Sequence, residues 1–264
     1  GQRAAINLAG VESAEVARGM FVSHPGRGVV SNRWDVVLKE RKEVVSGARI
    51  RLHLGTGEWI GRIYDTKRAP SEFKQLVLEH PVAGAAGDRG IVRLYSPQHL
   101  LGGVMLIAPG LLSRRLSPSR QALAKALHSQ DVRETIYWAV AGLEKPSAIH
   151  EIMRQIGYLP DQLCQRFIGE LLVSGRFTAV DSYIYDTKYY EQLLALTQAT
   201  LSEVHRATPE KPGLDREVLR SKLCLTDKEF SNLLAVWEKV GHMKLHGAHV
   251  AMPTHAVSHD NWQQ

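Results

Sequence analysis

Cysteine is nearly absent from this chain: Cys164 and Cys224 are the only two in 264 residues. Both sit among apolar residues, where a thiol behaves as a small hydrophobe. A disulfide framework is therefore excluded, and a reducing cytoplasmic setting is expected. Long apolar runs are missing too. None approaches the roughly 18 residues that a membrane helix needs, so no membrane partner is expected, and no signal-peptide pattern opens the sequence. There is no initiating Met, and residues 2–11 already read like a strand, so the chain is expected to be a piece of a longer protein. Signatures of catalysis are also wanting. The sequence has no phosphate-cradling G-x-x-x-x-G-K-[ST] loop, no H-E-x-x-H, no C-x-x-C and no G-x-S-x-G. Binding and positioning, not chemistry, are what such a chain can do alone.

What is present is unevenly distributed. The formal net charge is +6, yet residues 1–117 carry 17 Lys/Arg against 10 Asp/Glu, while residues 118–264 carry 16 against 17. A basic partner surface, if the protein has one, belongs to the first part.

The second part repeats itself. Shifted by 66 positions, Ile149–Asp186 falls without a gap on Asp215–Met252. Asp161 meets Asp227, Phe167 meets Leu233, Leu171 meets Trp237 and Gly175 meets Gly241. A period of this size means two copies of one supersecondary unit. Each copy reads helix, turn, longer helix, strand hairpin, which is the order of a winged helix-turn-helix, a unit that commonly touches nucleic acid. Residues 188–206 predict a helix joining the copies into a stiff pair.

The first part reads as strands. Ala4–Leu8, Met20–Val22, Trp34–Leu38, Arg49–Leu54, Glu58–Tyr64, Phe73–Leu78, Asp88–Leu94 and Gly103–Ala108 are the predicted ones. Arg49–Leu54 alternates strictly, as a half-buried strand does, and Gly55-Thr56-Gly57 reads as a hairpin turn. Strands at this spacing with no helix between them predict a small closed barrel.

These residues also carry a resemblance. Residues 1–11, then Ala17–Val22 and Pro25-Gly26, resemble the junction of the second and third domains of translational GTPases related to elongation factor Tu. Gly47–Thr56, with Glu58, Arg62 and Ile63, is similar to the third-domain variant of the selenocysteine-specific elongation factors. Pro81-Val82, Gly87-Asp88-Arg89 and Val92-Arg93-Leu94 continue that pattern, and Gly213–Glu217 with Gly241–Met243 fit the family's winged helices. The resemblance implies an elongation-factor-Tu-like barrel followed by two tandem winged helix-turn-helix domains, a multidomain fold of β and α/β parts. The expected boundaries are residues 1–29 for the tail of a preceding barrel, 30–112 for the barrel, 113–130 for a link, 131–188 and 189–256 for the winged helices, and 257–264 for the start of a link to a further unit. It further implies a parent GTPase that delivers selenocysteinyl-tRNA to the ribosome at recoded UGA codons. GTP and Mg²⁺ would belong to a domain outside this chain, which itself would need no cofactor. The barrel would hold the tRNA, and the winged helices would extend to, or bind, the selenocysteine-insertion hairpin of the messenger RNA. A monomer is expected.

Candidate RNA-binding residues follow. Lys39, Arg41, Lys42, Lys67 and Arg68 form short basic clusters in the barrel, where solvated loops are the plain alternative. Arg49, Arg51, His53 and Arg62 alternate with apolar residues and so point away from the core, which ordinary polar-out alternation also explains. In the second winged helix Lys228 and Asn232 read as outward on the longer helix, and His249 as a wing residue. The wing turns read as Asp181-Ser182 and Gly247-Ala248. His242, His246, His249, His255 and His259 crowd the end, but wing placement of His246 and His249 argues against a metal site. Tyr137, Trp138, Phe167, Tyr189, Tyr190 and Trp237 could stack bases, although their helical spacing with Leu and Val favours a core. Tyr183 and Tyr185 fit neither reading well. Two other functions remain open at this point: a DNA-binding winged-helix regulator with an assembly or ligand barrel, which would need basic recognition helices, and a protein-interaction scaffold.

Overall fold

The structure, a computed structural model of the chain, describes residues 5–23, 25, 27–41, 43–67, 69–110, 112, 114–143, 145–156 and 159–256. The chain divides into two compact units, residues 1–142 with 153–161, and residues 143–152 with 162–264.

The first unit is built on six strands: β1 (Val29–Glu40), β2 (Arg49–Leu54), β3 (Gly57–Asp65), β4 (Phe73–Gly84), β5 (Arg89–Leu94) and β6 (Leu100–Pro109). They close into a barrel in the order β1-β4-β3-β2-β5-β6, antiparallel throughout. Alternate residues fill the interior: Trp34, Val36 and Leu38 of β1, Ile50 and Leu52 of β2, Ile63, Leu76, Val92 and Leu106 are all buried. Each contributes about 1.5–3 kcal/mol through burial. Gly61 has no room for a side chain, since a Cβ there would stand 2.4 Å from the Val77 carbonyl oxygen on β4.

Six of the eight expected strands are present. β4 continues past the expected end at Leu78, through Pro81, because the pairing of β1 with β4 is irregular between Ser31 and Arg33. A proline, which has no N–H to donate, is tolerated at such an interruption. The two expected strands before β1 are not there. Residues 5–8 and 20–22 carry no strand, and the span holds only a 3₁₀ turn at Ser13–Glu15; Ala4 lies outside the described residues. A strand needs a neighbour to take its N–H and C=O groups, and no described strand pairs with these segments.

Residues 113–130, expected as a link, contain a packed helix instead. Helices α1 (Pro118–Ser129) and α2 (Val132–Ala141) are capped by Ser117 and Asp131, whose side chains accept from the N–H groups of Arg120 and Glu134. Leu123, Ala124, Leu127 and Ala139 pack with Phe73, Met105, Ile107 and Ala108 of the barrel wall. β6 is therefore covered on both faces, which explains its unbroken run Val104-Met105-Leu106-Ile107-Ala108. Arg120 reaches back from α1 to the buried carboxylate of Asp35 and to the Pro109 carbonyl, 2.7 Å away.

The second unit and the segment crossing into it hold β7 (Ser147–Ala148), α3 (Ile149–Gln155), α4 (Asp161–Val173), β8 (Phe177–Val180) and β9 (Tyr183–Asp186). There follow α5 (Thr187–Ala207), β10 (Leu214–Asp215), α6 (Arg216–Leu223), α7 (Asp227–Val240), β11 (Lys244–His246) and β12 (His249–Ala251). The repeat is visible bond by bond. Gly175 N–H donates to Leu172 and Arg176 N–H to Leu171; Gly241 N–H donates to Glu238 and His242 N–H to Trp237, each 66 positions later. Both glycines have positive φ, +70° and +82°, as this helix-ending motif requires. In the hairpins, Thr178↔Tyr185, Ala179↔Ile184 and Val180↔Tyr183 become Lys244↔Ala251, Leu245↔Val250 and His246↔His249. The turns fall at Asp181-Ser182 and Gly247-Ala248, as expected, with Asp181 and Gly247 both left-handed.

The register is not gapless, however. α3 and α6 start 67 apart, and buried Ile152 and Ile156 correspond to Leu219 and Leu223. From Asp161 and Asp227 onward the offset is 66. The first copy carries one more residue in the turn between its helices, where apolar periodicity is interrupted and gives no register. Cys224 also departs from expectation. Cys164 is buried, but Cys224 is exposed at the C-cap of α6 with φ +54°. A cap position faces solvent whatever the apolarity of its sequence neighbours.

Candidate functional site

The barrel brings together some of the expected basic residues and separates others. Register across the sheet sets Arg62 of β3 opposite Arg49 of β2, and Arg93 of β5 opposite Arg51. These side chains share the outer face of three neighbouring strands, since Ile50, Leu52, Ile63 and Val92 point inward. His53 completes the β2 row. Arg89 and Arg93, both exposed, were missed as site residues. The alternation of Arg89, Ile91 and Arg93 was available as a signal, but their place beside Arg51 depends on a pairing of strands some forty residues apart. Lys39 and Arg41, at the end of β1, stand three strands away from β2 in the closed order, on the far side of the barrel. Lys67, whose N–H donates to the Arg114 carbonyl, lies beyond the end of β3. Lys42 and Arg68 are outside the described residues.

The basic face is partly neutralised. Arg49 pairs with Glu79 at 3.0 Å, Arg51 with Glu58, and Arg62 donates to the Gly47 carbonyl at 2.8 Å. The Arg51 guanidinium holds the Glu58 carboxyl below its usual range. Arg49 and Arg51 both lie over the ring of Tyr95, 4.2 and 4.6 Å from its centre. The arrangement can bind anions along a strand-wide row.

The winged pair is different. Lys228 and Asn232 lie on the outer face of α7, and each has a partner there. Asn232 donates to the Asp181 carboxylate at 3.0 Å, and the Lys228 ammonium stands 5.9 Å from the Tyr183 ring. Both partners belong to the first wing, against which α7 packs. Lys228 is exposed and Asn232 is half-exposed, as their outward placement predicts; what the sequence did not show is that each has a partner on the neighbouring copy. The same packing explains the two unassigned tyrosines. Tyr183 lies under Lys228. Tyr185 is fully buried in a core shared by both copies, with Val180, Leu193, Leu233 and Trp237. Its ring meets Tyr190 edge-on, and the Trp237 indole N–H donates to the Tyr190 hydroxyl at 3.0 Å. Of the other aromatics, Tyr137 and Trp237 are buried, whereas Phe167 is only half-buried.

The Tyr185 hydroxyl has no hydrogen-bond partner within the protein, and burial pushes its pKa up. A buried unmet hydroxyl costs about 1–3 kcal/mol. Tyr185→Phe is therefore expected to leave stability unchanged or to raise it by about 1 kcal/mol in urea unfolding. A fall in stability of more than about 1 kcal/mol would show that the hydroxyl is satisfied in solution.

His246 and His249 face each other across the second wing. His255 stacks on His205 at 3.6 Å, and His205 Nε2 accepts the Met252 N–H at 3.1 Å. Burial, then the nearby His255, hold the His205 imidazole below its ordinary pKa and so in the neutral form that can accept. His259 is outside the described residues. No three His, Cys, Asp or Glu side chains among the described residues are grouped to hold a metal ion, and no described helix is long and apolar enough to cross a membrane.

Comparison with known proteins adds the following. Residues 31–110 match a family model described as the selenocysteine-specific elongation factor beta-barrel domain. Residues 198–252 match one described as elongation factor SelB, winged helix. A selenocysteine-specific elongation factor of Desulfomicrobium baculatum is 27% identical over 279 residues, 98% of this chain and 43% of the relative. The chain thus spans less than half the length of the curated relative it matches. The crystal structure of a bacterial selenocysteine-specific elongation factor, EF-Sec, covers 93% of this chain and 38% of its own length, at TM-score 0.64 and 17% identity. That likeness shows a shared fold.

Proposed function

We propose, for a chain that belongs to the selenocysteine-specific elongation factors, that it positions RNA and leaves nucleotide chemistry to another part of the parent protein. The barrel would hold the backbone of selenocysteinyl-tRNA on the outer face of β5, β2 and β3. The winged pair would extend towards, or bind, a hairpin of the messenger RNA, and the ribosome would be the common partner. The parent would be a GTPase. GTP and Mg²⁺ would belong to that other part, a reading supported by the lack of a phosphate-binding loop in this sequence.

The observation that carries the barrel reading is the row of Arg49, Arg51, Arg62 and Arg93 on three neighbouring strands, in the half of the chain that bears the excess of 17 basic over 10 acidic residues. Phosphate neutralisation releases counterions, so affinity should fall steeply with salt. Arg49, Arg51 and Arg62 changed together to Ala should weaken tRNA binding at every salt concentration. They should flatten the log–log salt dependence by about one unit for each phosphate left without its cation. An unchanged slope would remove this face from the RNA interface. In the winged pair, Lys228 is exposed on α7 and could meet RNA directly, whereas Asn232 would have to exchange its bond to Asp181 for one to RNA. Half-exposed His249 and the exposed Lys244 and His246 on the same second wing are further candidates for the hairpin.

A further inference from the structure

The paired state of the basic face is itself informative. Arg49 and Arg51 are two residues apart on one strand, so their α-carbons are about 6.7 Å apart, a spacing that suits neighbouring phosphates of one RNA strand. Like charges this close repel, yet both guanidiniums are gathered over one ring, that of Tyr95. The negative face of an aromatic ring attracts each of them. The ring is held in register by the main chain, because the Tyr95 N–H donates to the Arg49 carbonyl at 3.0 Å. Each guanidinium already has an anion. Glu79 comes from β4 and Glu58 from β3, and both acids are more than two-fifths exposed. The site is nevertheless not saturated: Arg51 Nε and His53 Nε2 are buried with no hydrogen-bond partner within the protein. One carboxylate cannot meet all the donors that converge here, whereas a phosphate brings further acceptor oxygens to the same place.

We propose that Glu58 and Glu79 stand where two RNA phosphates bind, and that Tyr95 is the positioning residue that holds Arg49 and Arg51 for the exchange. Binding then swaps carboxylate for phosphate on a preformed pair of guanidiniums. The two acids set a threshold: a weaker or singly placed anion does not displace them. This inference rests on the reading of the barrel face as an RNA site and adds how that site is held before RNA arrives.

The test uses the full chain and a fluorescently labelled tRNA over a salt series. E58Q/E79Q is expected to tighten binding about tenfold, from two surface pairs that no longer compete. E43Q/E72Q changes the net charge equally at two exposed positions of the same unit and is expected to tighten it less than about twofold. Y95A should weaken binding about tenfold, because neither guanidinium then has a ring beneath it. Y95F, which keeps the ring face, should stay within about twofold of the parent. Equal gains from the two acid pairs, or no gain from E58Q/E79Q, would overturn the exchange, and this arm stands even if Y95A fails to fold. Y95A binding as tightly as the parent would overturn the role of Tyr95. If R49A/R51A still weakens binding in those cases, the RNA face survives and only this inference falls. If R49A/R51A has no effect, the RNA reading falls and takes this inference with it.

Discussion

Arg120→Met should lower the stability of the barrel unit by about 3–5 kcal/mol, the usual cost of stripping one partner from a buried ion pair. Asp35 is 1% exposed and accepts from the Gln75 amide at 2.9 Å as well as from Arg120. Burial pushes its carboxyl above the ordinary range, while Gln75 and Arg120 pull it back. Removing Arg120 leaves burial less opposed, so the carboxyl should move further up. A carboxyl whose folded pKa exceeds its unfolded value is favoured by folding in its protonated form. That contribution is present at low pH and is lost as pH rises. The deficit of R120M should therefore be full at neutral pH and shrink as pH falls towards the raised pKa of Asp35. Asp35→Asn in the R120M background should recover much of the stability. Urea unfolding across pH checks each statement; a deficit that grows on acidification would show that Asp35 is not the group left unpaired. Because Arg120 lies on α1, the same variant should raise hydrogen exchange in α1, which Arg120 ties to the barrel end.

Trp237→Ala should cost about 3–5 kcal/mol, as expected for a fully buried aromatic. Trp237 is 0% exposed, and its removal also strands the Tyr190 hydroxyl that accepts its indole N–H. The informative readout is where protection disappears. Val180 and Tyr185 of the first copy and Leu193 of the joining helix α5 share a core with Leu233 and Trp237 of the second. Hydrogen exchange should accelerate in β8 and β9 as well as in α7. If exchange rose in the second copy alone, the two copies would be independent folding units and the shared core would be incidental.

The expected barrel face was only partly legible in the chain. That Arg49, Arg51 and Arg62 point outward follows from alternation, and the structure agrees. That Arg93 joins them while Lys39 and Arg41 do not follows from the order of strands around a closed barrel, which alternation does not carry. The partners of Lys228 and Asn232 were out of reach for a similar reason. Each copy read alone leaves α7 outermost, and only the docking of one copy on the other puts Asp181 and Tyr183 against it. The helix α1 was legible in principle. β6 shows an unbroken apolar run, which for a short strand means cover on both faces, and Ser117-Pro118 is a helix start.

The sequence by itself determined the local and the periodic. Apolar runs broken by turn residues marked the six barrel strands along with two that do not form, alternation gave the inward face of Arg49–Leu54, and glycines marked the helix ends at 175 and 241. A 66-residue repeat marked two winged helices down to their turn residues, because each of these depends on residues within a few positions of one another. Tertiary structure alone decided what those elements meet. It made β6 a two-sided strand under α1 and α2 and set Arg93 beside Arg51. It also set Asp181 and Tyr183 of the first wing beside Asn232 and Lys228 of α7. Such pairings join residues tens of positions apart, and which of them form is chosen by the packing of whole faces, where the apolar area buried outweighs any local preference.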